Sequence, residues 1–388
     1  MRVLQIHTRY RQRGGEDAVA DNERRLLAES GHEVELWEAV NAESALETVR
    51  DLALAPWNPR AGRDVADVIA RHRPDVVHVH NTWFAASPSV IAAAARVGVP
   101  VVMTLHNYRL FCAGGELTRA GSPCEICVGR GPWSAVRYGC FRDSRPASAV
   151  SAATISFNRR RGTWRDGVWR FVALTDFARG RFLDAGFEPA QVEVIPNFVG
   201  DPGPREAPPS SSDVVLFVGR LTAAKGVATL VEAWRHARPQ GLTLRIAGTG
   251  PLEQHLRDNP TPGVELLGWL DADAMRAEML NARALVFPSE WYEGMPMTLL
   301  EAFAAGLGVL GSRIGSVEEI VGQLGEGWLT AAGRVEAWSR SLQALTDDQL
   351  VDRAGALART IYVEKHTESA ALARLESLYG RAVRREGC

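Results

Sequence analysis

The sequence is poor in several features that mark particular classes of protein. It has no basic excess, because 44 Lys and Arg face 46 Asp and Glu, so the basic footprint of a typical nucleic-acid-binding protein is missing. Lysine is nearly absent, with Lys225 and Lys365 the two in the chain. No apolar run approaches the roughly 20 residues of a membrane span, and the N-terminus resembles a first strand rather than a signal peptide. We therefore expect a cytoplasmic protein with no nucleic-acid partner.

The pattern of apolar runs predicts two α/β domains. A chain of 388 residues is longer than one ordinary core supports. Short runs rich in Val and Ile alternate with amphipathic stretches such as 17–30, as in parallel strands joined by crossover helices. Residues 201–213 are crowded with Pro and Ser, which predicts a linker. The predicted strands are 3–7, 33–37, 76–80, 101–105, 171–174 and 192–195 before the linker, and 214–218, 244–247, 264–267, 284–287 and 308–310 after it.

Two cations follow the first predicted strand of the second half. In FVGRLTAAKG (217–226) a glycine-containing turn leads from a strand into an amphipathic stretch. Such a turn exposes backbone N–H groups at a helix N-terminus, where anions are favoured, and Arg220 and Lys225 add positive charge. The alternative is a solvated loop with two surface charges. The strand, turn and helix context favours a diphosphate site.

Two glutamates follow a later strand, in PSEWYEGMPMTLLEAFAAGLG (288–308). Glu293 lies in the predicted loop and Glu301 on a helix expected to begin near Pro296, a residue suited to a first turn. The amides of Met295 to Leu299 would offer the positive helix end to phosphate or sugar oxygens, and Glu301 could accept hydrogen bonds from a ribose diol. A capping loop and a solvated helix face would explain either glutamate alone, but not the apolar segment with its flanking glycines.

Four of the five cysteines lie in one glycine-rich insertion, at Cys112, Cys124, Cys127 and Cys140. A C-x-x-C pair with one Cys on either side has the count and spacing of a tetrahedral structural zinc site. Free thiols and disulfides are the alternatives, although a reducing cytoplasm disfavours disulfides. We expect the fifth cysteine, Cys388, to be a free surface thiol.

Two further segments allow a functional and a structural interpretation. In residues 157–171 Arg alternates with Trp164 and Trp169, a pattern compatible with peripheral membrane contact but more typical of a core-packing helix with a solvated face. The triplet 271–273, DAD, is like a metal-binding motif, but its place before a helical stretch makes helix capping the better interpretation.

The order of these segments resembles the retaining glycosyltransferases of family 4, which have the GT-B fold. The similar segments are RGGEDAVADNERRLLAESGHEVEL, DVVHVHNTW, VVMTLHNYRLFC, VALTDFARGRFLDAGF, VEVIPN, VGRLTAAKG, IAGTGPLEQ, LLGWL and YEGMPMTLLEAFAAGLGVLGSRIGSVEEIV. They extend from the first strand to Val321 and so cover most of the chain. The resemblance implies an α/β protein of two Rossmann-like, doubly wound domains that face each other across a ligand cleft.

The resemblance also implies roles for individual residues. Glu293 would lie against the donor sugar and Glu301 on the ribose hydroxyls, with Arg220 and Lys225 on the diphosphate. His106 would lie beside the transferred sugar, although a lone histidine is more often a satisfied core residue. The remaining implied donor-binding residues are Gly14, Gly15, Gly219, Gly248, Gly250, Gly294, Met295, Pro296, Met297, Thr298 and Leu299.

The implied activity is retaining transfer of a sugar from a UDP- or GDP-sugar to a hydroxyl of a glycan, lipid-linked or small-molecule acceptor, with no metal needed for catalysis. Residues 1–198 would form the acceptor-side domain, carrying the Cys-rich insertion at 112–140, and 199–365 the donor domain. A C-terminal helix at 366–388 would pack back on the first domain. A nucleotide-sugar epimerase and a non-catalytic nucleotide-sugar-binding protein are the alternatives. A position at the inner face of the membrane is compatible with this activity.

Overall fold

The computed structural model describes residues 1–10, 14–41 and 45–385, so Cys388 lies outside the described residues. The chain forms two compact units. The first comprises residues up to Arg119, from Cys124 to Pro196 and from Ala371 onwards. The second comprises Asn197–Ala370 and the short segment Ala120–Pro123. No helix in the described part of the chain is long and apolar enough to cross a membrane.

The helices and strands up to Pro196 alternate as the apolar pattern predicts. In chain order they are β1 (Arg2–Arg9), α1 (Gly15–Glu29), β2 (Glu33–Val40), α2 (Ala45–Leu54), α3 (Pro59–His72), β3 (Val76–Val79), α4 (Ser89–Arg96), β4 (Val101–Leu105), β5 (Thr118–Arg119), β6 (Ser122–Pro123), α5 (Ser134–Tyr138), α6 (Arg145–Arg161), β7 (Arg170–Ala173), α7 (Asp176–Asp184) and β8 (Val192–Val194).

The same alternation continues from Asn197. The elements are β9 (Val214–Val218), α8 (Val227–Ala237), β10 (Thr243–Ala247), α9 (Glu253–Asp258), β11 (Val264–Gly268), α10 (Ala272–Asn281), β12 (Ala284–Phe287), α11 (Met297–Ala304), β13 (Val309–Ser312), α12 (Gly315–Val321), β14 (Leu329–Thr330), α13 (Val335–Ala344), α14 (Asp348–Lys365) and α15 (Glu368–Arg384).

The first unit is built on a six-stranded parallel sheet in the order β2-β1-β3-β4-β7-β8. Its inner strands β3, β4 and β7 are buried along their whole length, as expected when helices cover both faces of a parallel sheet. The strand order reverses direction between β1 and β3. In sheets of this type ligands bind beyond the carboxyl ends of the strands at such a reversal.

The second unit has a six-stranded parallel sheet in the order β11-β10-β9-β12-β13-β14. This is the strand order of a dinucleotide-binding Rossmann sheet, with the reversal between β9 and β12. The loops after β9 and β12 carry the predicted cations and Glu293, and they leave the sheet side by side because β9 and β12 are paired neighbours. The short edge strand β14 was not predicted from the sequence.

The C-terminal helix α15 contributes to the core of the first unit. Leu375, Leu378, Tyr379 and Ala382 pack in one apolar cluster with residues of the sheet such as Val76. The predicted helix at 366–388 is therefore present over Glu368–Arg384, and its residues from Ala371 belong to the first unit.

Candidate functional site

A buried carboxylate in the second unit is held by three donors. Glu293 is 7% exposed, and its Oε1 atom accepts hydrogen bonds from Lys225 Nζ at 2.7 Å, Ser289 Oγ at 2.6 Å and Trp291 Nε1 at 2.6 Å. Hydrogen bonds to an ionised acceptor are stronger than neutral ones. The glutamate and lysine singled out in separate segments of the sequence thus form one ion pair, and all three contacts lie on a single carboxylate oxygen.

The ion pair forms because the loops after β9 and β12 pack closely. Gly226 has a φ of +69°, and a Cβ at this position would overlap the carbonyl oxygen of Pro288. Glu290 N donates to Ala224 O at 2.8 Å, which joins the two loops. Only glycine fits both the left-handed backbone and this contact, so Gly226 allows Lys225 to reach Glu293.

Arg220 lies on the same loop as Lys225, but its side chain points into solvent. The residue is exposed, and its guanidinium makes no hydrogen bond or ion pair with a residue in the described ranges, although its backbone carbonyl accepts from Thr222 N at 2.9 Å. Within this loop the structure therefore pairs one predicted cation with Glu293 and leaves the other available to an anion.

The segment Gly294 to Leu299 leads into α11, which begins at Met297 with Pro296 as its N-cap. The sequence placed Pro296 in the first turn. Leu299 N donates to Pro296 O at 3.1 Å, so of the predicted amides this one is already used. Met297 and Thr298 occupy the first turn, where backbone N–H groups have no partner inside the helix.

Glu301 lies on α11, one turn along the helix, and is half-buried. Burial raises the pKa of its carboxyl group. No hydrogen bond to Glu301 side-chain atoms is recorded among the described residues, so its oxygens remain free to accept hydrogen bonds from a ligand. Lys225, the charged neighbour of Glu293, has no counterpart at Glu301 among the described residues.

The glycines after β9 and β10 have a packing role of their own. A Cβ on Gly248, which has a φ of +138°, would overlap the carbonyl oxygen of Gly219, and one on Gly250 would lie 2.7 Å from Leu221 O. Gly219 N also donates to Ala247 O at 3.0 Å. The close approach of the two loops therefore explains Gly248 and Gly250 without a ligand.

The glycines before α1 behave differently. Gly14 and Gly15 are exposed and have negative or extended backbone angles at the N-cap, with Gly14 φ at −122°. A Cβ on Gly15 would meet no atom within 4 Å, and one on Gly14 would meet only Asp17 Oδ2 at 3.9 Å. Neither backbone strain nor packing within the described residues requires glycine at these two positions.

Gly14 is linked to the first sheet through a buried acid. Asp17 accepts a hydrogen bond from Gly14 N at 2.8 Å and lies 2.7 Å from His7 Nε2. Burial alone would raise the pKa of Asp17, but the hydrogen bonds from His7 and Gly14 lower it. His7 lies on β1, so this pair ties the start of α1 to the carboxyl end of that strand.

His106 lies immediately beyond the carboxyl end of β4 and is half-buried. Its Nε2 is 3.1 Å from Nδ1 of His80, and the two rings are stacked with centroids 5.4 Å apart. Burial, followed by the neighbouring His80, lowers the pKa of His106 well below its usual value, so the ring is neutral near pH 7. His80, which the sequence analysis did not single out, is thus the direct partner of His106.

Behind His80 is a fully buried polar cluster. Glu23 Oε1 lies 2.5 Å from His78 Nδ1 and accepts a hydrogen bond from Tyr379 of α15 at 3.2 Å. His78 Nε2 is 2.8 Å from Thr104 Oγ1. Burial would raise the pKa of Glu23, but the two neighbouring histidines lower it far below its ordinary range. Both ring nitrogens of His78 therefore have protein partners.

The same cluster has the spacing of a metal site. In the described part of the chain, Glu23, His78 and His80 are the set of ligand side chains with atoms all within 4.8 Å of one another. Since each of these side chains already contacts a protein donor or acceptor, hydrogen bonding accounts for the arrangement.

The four cysteines of the insertion all lie in the first unit as free thiols, Cys112 and Cys127 buried and Cys124 and Cys140 half-buried. Burial, and then the other three thiols, raise the pKa of Cys127 to about 12. Burial, and then Cys112 and Cys124, also raise the pKa of Cys140. The thiols are therefore close enough to influence one another electrostatically. However, their four sulfur atoms do not all lie within 4.8 Å of one another.

Two sequence alternatives are decided by local structure. Asp271 caps α10 by accepting a hydrogen bond from Ala274 N at 2.8 Å, so the capping interpretation of DAD is confirmed. In the segment 157–171 the helix α6 ends at Arg161, and Gly162 has a φ of +74°. Trp164 is 3% exposed and Trp169 packs against the core. These tryptophans therefore stabilise the interior, and the predicted helix covers only the start of the segment.

Two doubly wound parallel sheets, with a lysine–glutamate pair at the strand reversal of the second, are the architecture of an α/β protein of the GT-B fold class. Residues 13–201 match the family model described as Glycosyltransferase Family 4, and residues 212–348 match the one described as Glycosyl transferases group 1.

Individual relatives agree with these matches. A protein of Escherichia coli (strain K12) named "Putative colanic acid biosynthesis glycosyltransferase WcaL" is 30% identical over 295 residues, covering 70% of each chain. The 2-deoxystreptamine N-acetyl-D-glucosaminyltransferase of Streptomyces fradiae is 27% identical over 299 residues, which are 71% of this chain but 63% of that protein. The chain belongs to the family 4, group 1 glycosyltransferases.

The fold is shared with solved structures of low identity. The crystal structure of Anabaena Alr3699/HepE in complex with UDP superposes with a TM-score of 0.68 at 16% identity, covering 98% of this chain and 100% of that one. At this level of identity the likeness establishes the GT-B fold of two Rossmann-like domains.

Proposed function

We propose that the protein is a retaining glycosyltransferase that moves a sugar from a UDP- or GDP-sugar to a hydroxyl of a glycan, lipid-linked or small-molecule acceptor. The observation that carries the proposal is the buried pair of Lys225 and Glu293 at the strand reversal of a Rossmann sheet. Family membership and the UDP bound to Alr3699/HepE support a nucleotide-sugar donor.

We assign the diphosphate to the loop after β9 and the N-terminus of α11, where the second unit carries positive charge. The guanidinium of Arg220 has no partner in the described ranges, Lys225 is half-buried beside Glu293, and the first turn of α11 offers amides of Met297 and Thr298. Two cations and a helix N-terminus can stabilise the charge that develops on a departing nucleoside diphosphate. This stabilisation supports transfer without a catalytic metal.

The two glutamates have different environments, which supports different roles. Three donors hold the Oε1 atom of Glu293. They thereby fix the orientation of the carboxylate, and its other oxygen can bind the donor sugar. Glu301 has no recorded donor among the described residues, and we assign it to the ribose diol. Neither assignment needs a covalent intermediate on the protein.

In the first unit we assign Gly14 and Gly15 to the donor phosphates and His106 to the transferred sugar. The space that a Cβ would fill at the two glycines is not occupied by the described protein atoms, which supports close approach of a ligand. Retention follows if the acceptor attacks from the leaving-group face and the β-phosphate oxygen takes its proton. In this course no protein base is needed, and the neutral ring of His106 would contribute a hydrogen bond to the sugar.

The test combines donor binding with turnover. The purified protein is screened by thermal shift against UDP-, GDP- and dTDP-sugars, because a ligand that binds only the folded state raises the melting temperature. The stabilising donor is then incubated with an acceptor panel while nucleoside diphosphate release and the anomeric configuration of the product are measured. Lys225→Ala should lower the rate of release about 10²–10³-fold, and Lys365→Ala, which changes the other lysine, is the matched control.

The other functions predict different outcomes in this experiment. An epimerase would convert the donor sugar or release it without an acceptor. A binding protein would show the thermal shift but no release with any acceptor. An inverted product would refute the retaining mechanism while leaving transfer intact.

We also propose that Cys112, Cys124, Cys127 and Cys140 hold a structural zinc ion. Four soft thiol donors with a C-x-x-C pair fit the ion, and the electrostatic influence that the thiols exert on one another supports their proximity. The side chains would turn towards one another on binding. Metal analysis should find about one zinc per chain, lost in a Cys124→Ser, Cys127→Ser variant and kept in Cys388→Ser. Substoichiometric zinc in all three proteins would refute the site.

A further inference from the structure

A buried glutamine next to the histidine pair has only one possible orientation. Gln5 on β1 is 1% exposed, and its Nε2 donates to Ala20 O at 3.0 Å. Because a carbonyl can only accept, the nitrogen of the amide must face Ala20. The same nitrogen is 2.9 Å from His80 Nε2. Its second hydrogen therefore points at the imidazole.

The orientation of Gln5 determines which nitrogen of His80 carries the hydrogen. His80 Nε2 accepts from Gln5, so a neutral His80 keeps its hydrogen on Nδ1. Burial lowers the pKa of His80 to about 4, and the ring is neutral at physiological pH. Glu23 Oε1 is also near His80 Nε2, at 3.5 Å, but it lies closer to His78, at 2.5 Å, and also accepts from Tyr379.

Within the described ranges, the acceptor for the hydrogen on His80 Nδ1 is His106. His106 Nε2 is 3.1 Å away, and it can accept only if its own hydrogen lies on Nδ1. We propose that Gln5 and His80 are positioning residues that fix His106 as the Nδ1–H tautomer, so that His106 offers the substrate a hydrogen-bond donor and not a base.

The proposal adds a chemical restriction to the proposed function, on which its catalytic meaning rests. An Nδ1–H group donates to a hydroxyl or ring oxygen of the sugar, but it cannot take the proton of the acceptor hydroxyl. That proton must go to a group outside the relay, by which we mean the chain of hydrogen bonds from Gln5 through His80 to His106. This agrees with the proposed transfer of the proton to the β-phosphate oxygen of the donor. The first relay residue lies on β1, and β1 pairs with β3, which precedes His80, so the relay is built into the sheet and not into a loop.

The tautomer can be measured without turnover. In protein labelled with ¹⁵N-histidine, long-range ¹H–¹⁵N correlations distinguish Nδ1–H from Nε2–H rings, and His106→Asn identifies the signals of His106. The wild-type spectrum should show His106 as Nδ1–H. An Nε2–H or charged His106 at pH 7.5 in the wild type would overturn the proposal without any variant.

A matched pair of variants tests the cause. His80→Asn can place an amide N–H where Nδ1 lies and should keep the Nδ1–H form of His106. His80→Asp places only an acceptor there and should convert His106 to Nε2–H. If His80→Asp fails to fold, Gln5→Leu removes the first donor and should give a mixture of the two tautomers. A His106 spectrum unchanged in both His80→Asp and Gln5→Leu would overturn the relay.

Turnover then separates this relay from the proposed function. If the wild type transfers sugar, His80→Asp should lower kcat at least tenfold more than His80→Asn, with a smaller effect on the donor KM. Equal losses of kcat in the two variants would reject the positioning role. If the wild type transfers no sugar from any donor, the proposed function fails, while the ¹⁵N measurement still decides the tautomer of His106.

Discussion

Replacing Lys225 with alanine should lower the stability of the second unit and the transferase activity of the protein, each for its own reason. Lys225 is one of three donors to Glu293 Oε1, and without it a charged, buried carboxylate keeps only two neutral donors. A hydrogen bond to a charged group contributes about 1.5–3 kcal/mol. Because the Lys225 side chain is 18% exposed, water can partly replace it, and we expect a loss of about 2 kcal/mol.

A second substitution shows whether the loss comes from the uncompensated charge. Glu293→Gln keeps the shape of the side chain but removes the charge, so the double variant should recover about 1 kcal/mol relative to Lys225→Ala. For a unit of this size, 1 kcal/mol shifts Tm by about 2–4 °C. Thermal unfolding should thus give a Tm about 4–8 °C below wild type for Lys225→Ala, with about half of this recovered in the double variant.

Activity should not follow stability in this series. Loss of a donor that stabilises developing charge lowers kcat about 10²–10³-fold, and the double variant should stay at least as inactive as Lys225→Ala. Lys365→Ala should match the wild type in both assays. A double variant no more stable than Lys225→Ala would refute the charge argument, and undiminished transfer by Lys225→Ala would reject the diphosphate role.

Three other predictions test separate parts of the molecule. Glu301→Gln should raise the donor KM about tenfold with little change in Tm, since removing one good hydrogen-bonded contact costs about 1.4 kcal/mol, and an unchanged KM would remove Glu301 from the ribose site. Gly15→Ala should leave stability within about 0.5 kcal/mol but weaken donor binding in calorimetry, whereas Gly248→Ala should prevent folding because its Cβ would overlap Gly219 O. The folded-state pKa of His80 is about 4 against an ordinary value of 6.5, so its contribution to stability is complete above pH 6.5 and is lost as pH falls towards 4, by up to about 1.4 kcal/mol per pH unit. Unfolding between pH 7.5 and 4.5 should therefore depend on pH more steeply in the wild type than in His80→Asn, and parallel curves would contradict this.

The strands could be predicted from sequence because strands of a parallel sheet that is covered on both faces appear as short, nearly continuous apolar runs. The buried runs 101–105, 214–218 and 284–287 agree with β4, β9 and β12 residue for residue. The edge strand β14, Leu329–Thr330, has two residues and no alternation, so composition could not reveal it. The predicted fold therefore rests on the central strands, whose burial is enforced by packing on both faces.

Candidate site residues could be predicted where they belong to a recognisable local sequence pattern. Glu293 and Lys225 each follow a strand at a glycine-containing loop, and the structure joins them. The donors Ser289 and Trp291 lie within four residues of Glu293, but no periodicity distinguishes them from loop residues. His80 and Gln5 were missed for a stronger reason. Their contact joins residues 75 positions apart and depends on strand pairing, which a single sequence does not specify.

The glycines show how a ligand-related position can be separated from a structural one. Gly226 and Gly248 combine positive φ with a neighbouring carbonyl that excludes a Cβ, so the fold itself requires glycine there, with or without substrate. At Gly15 the backbone is that of an ordinary helix start, and a Cβ would meet no atom within 4 Å. The fold alone gives no reason for glycine at this position, and a ligand that comes close to the backbone would supply one.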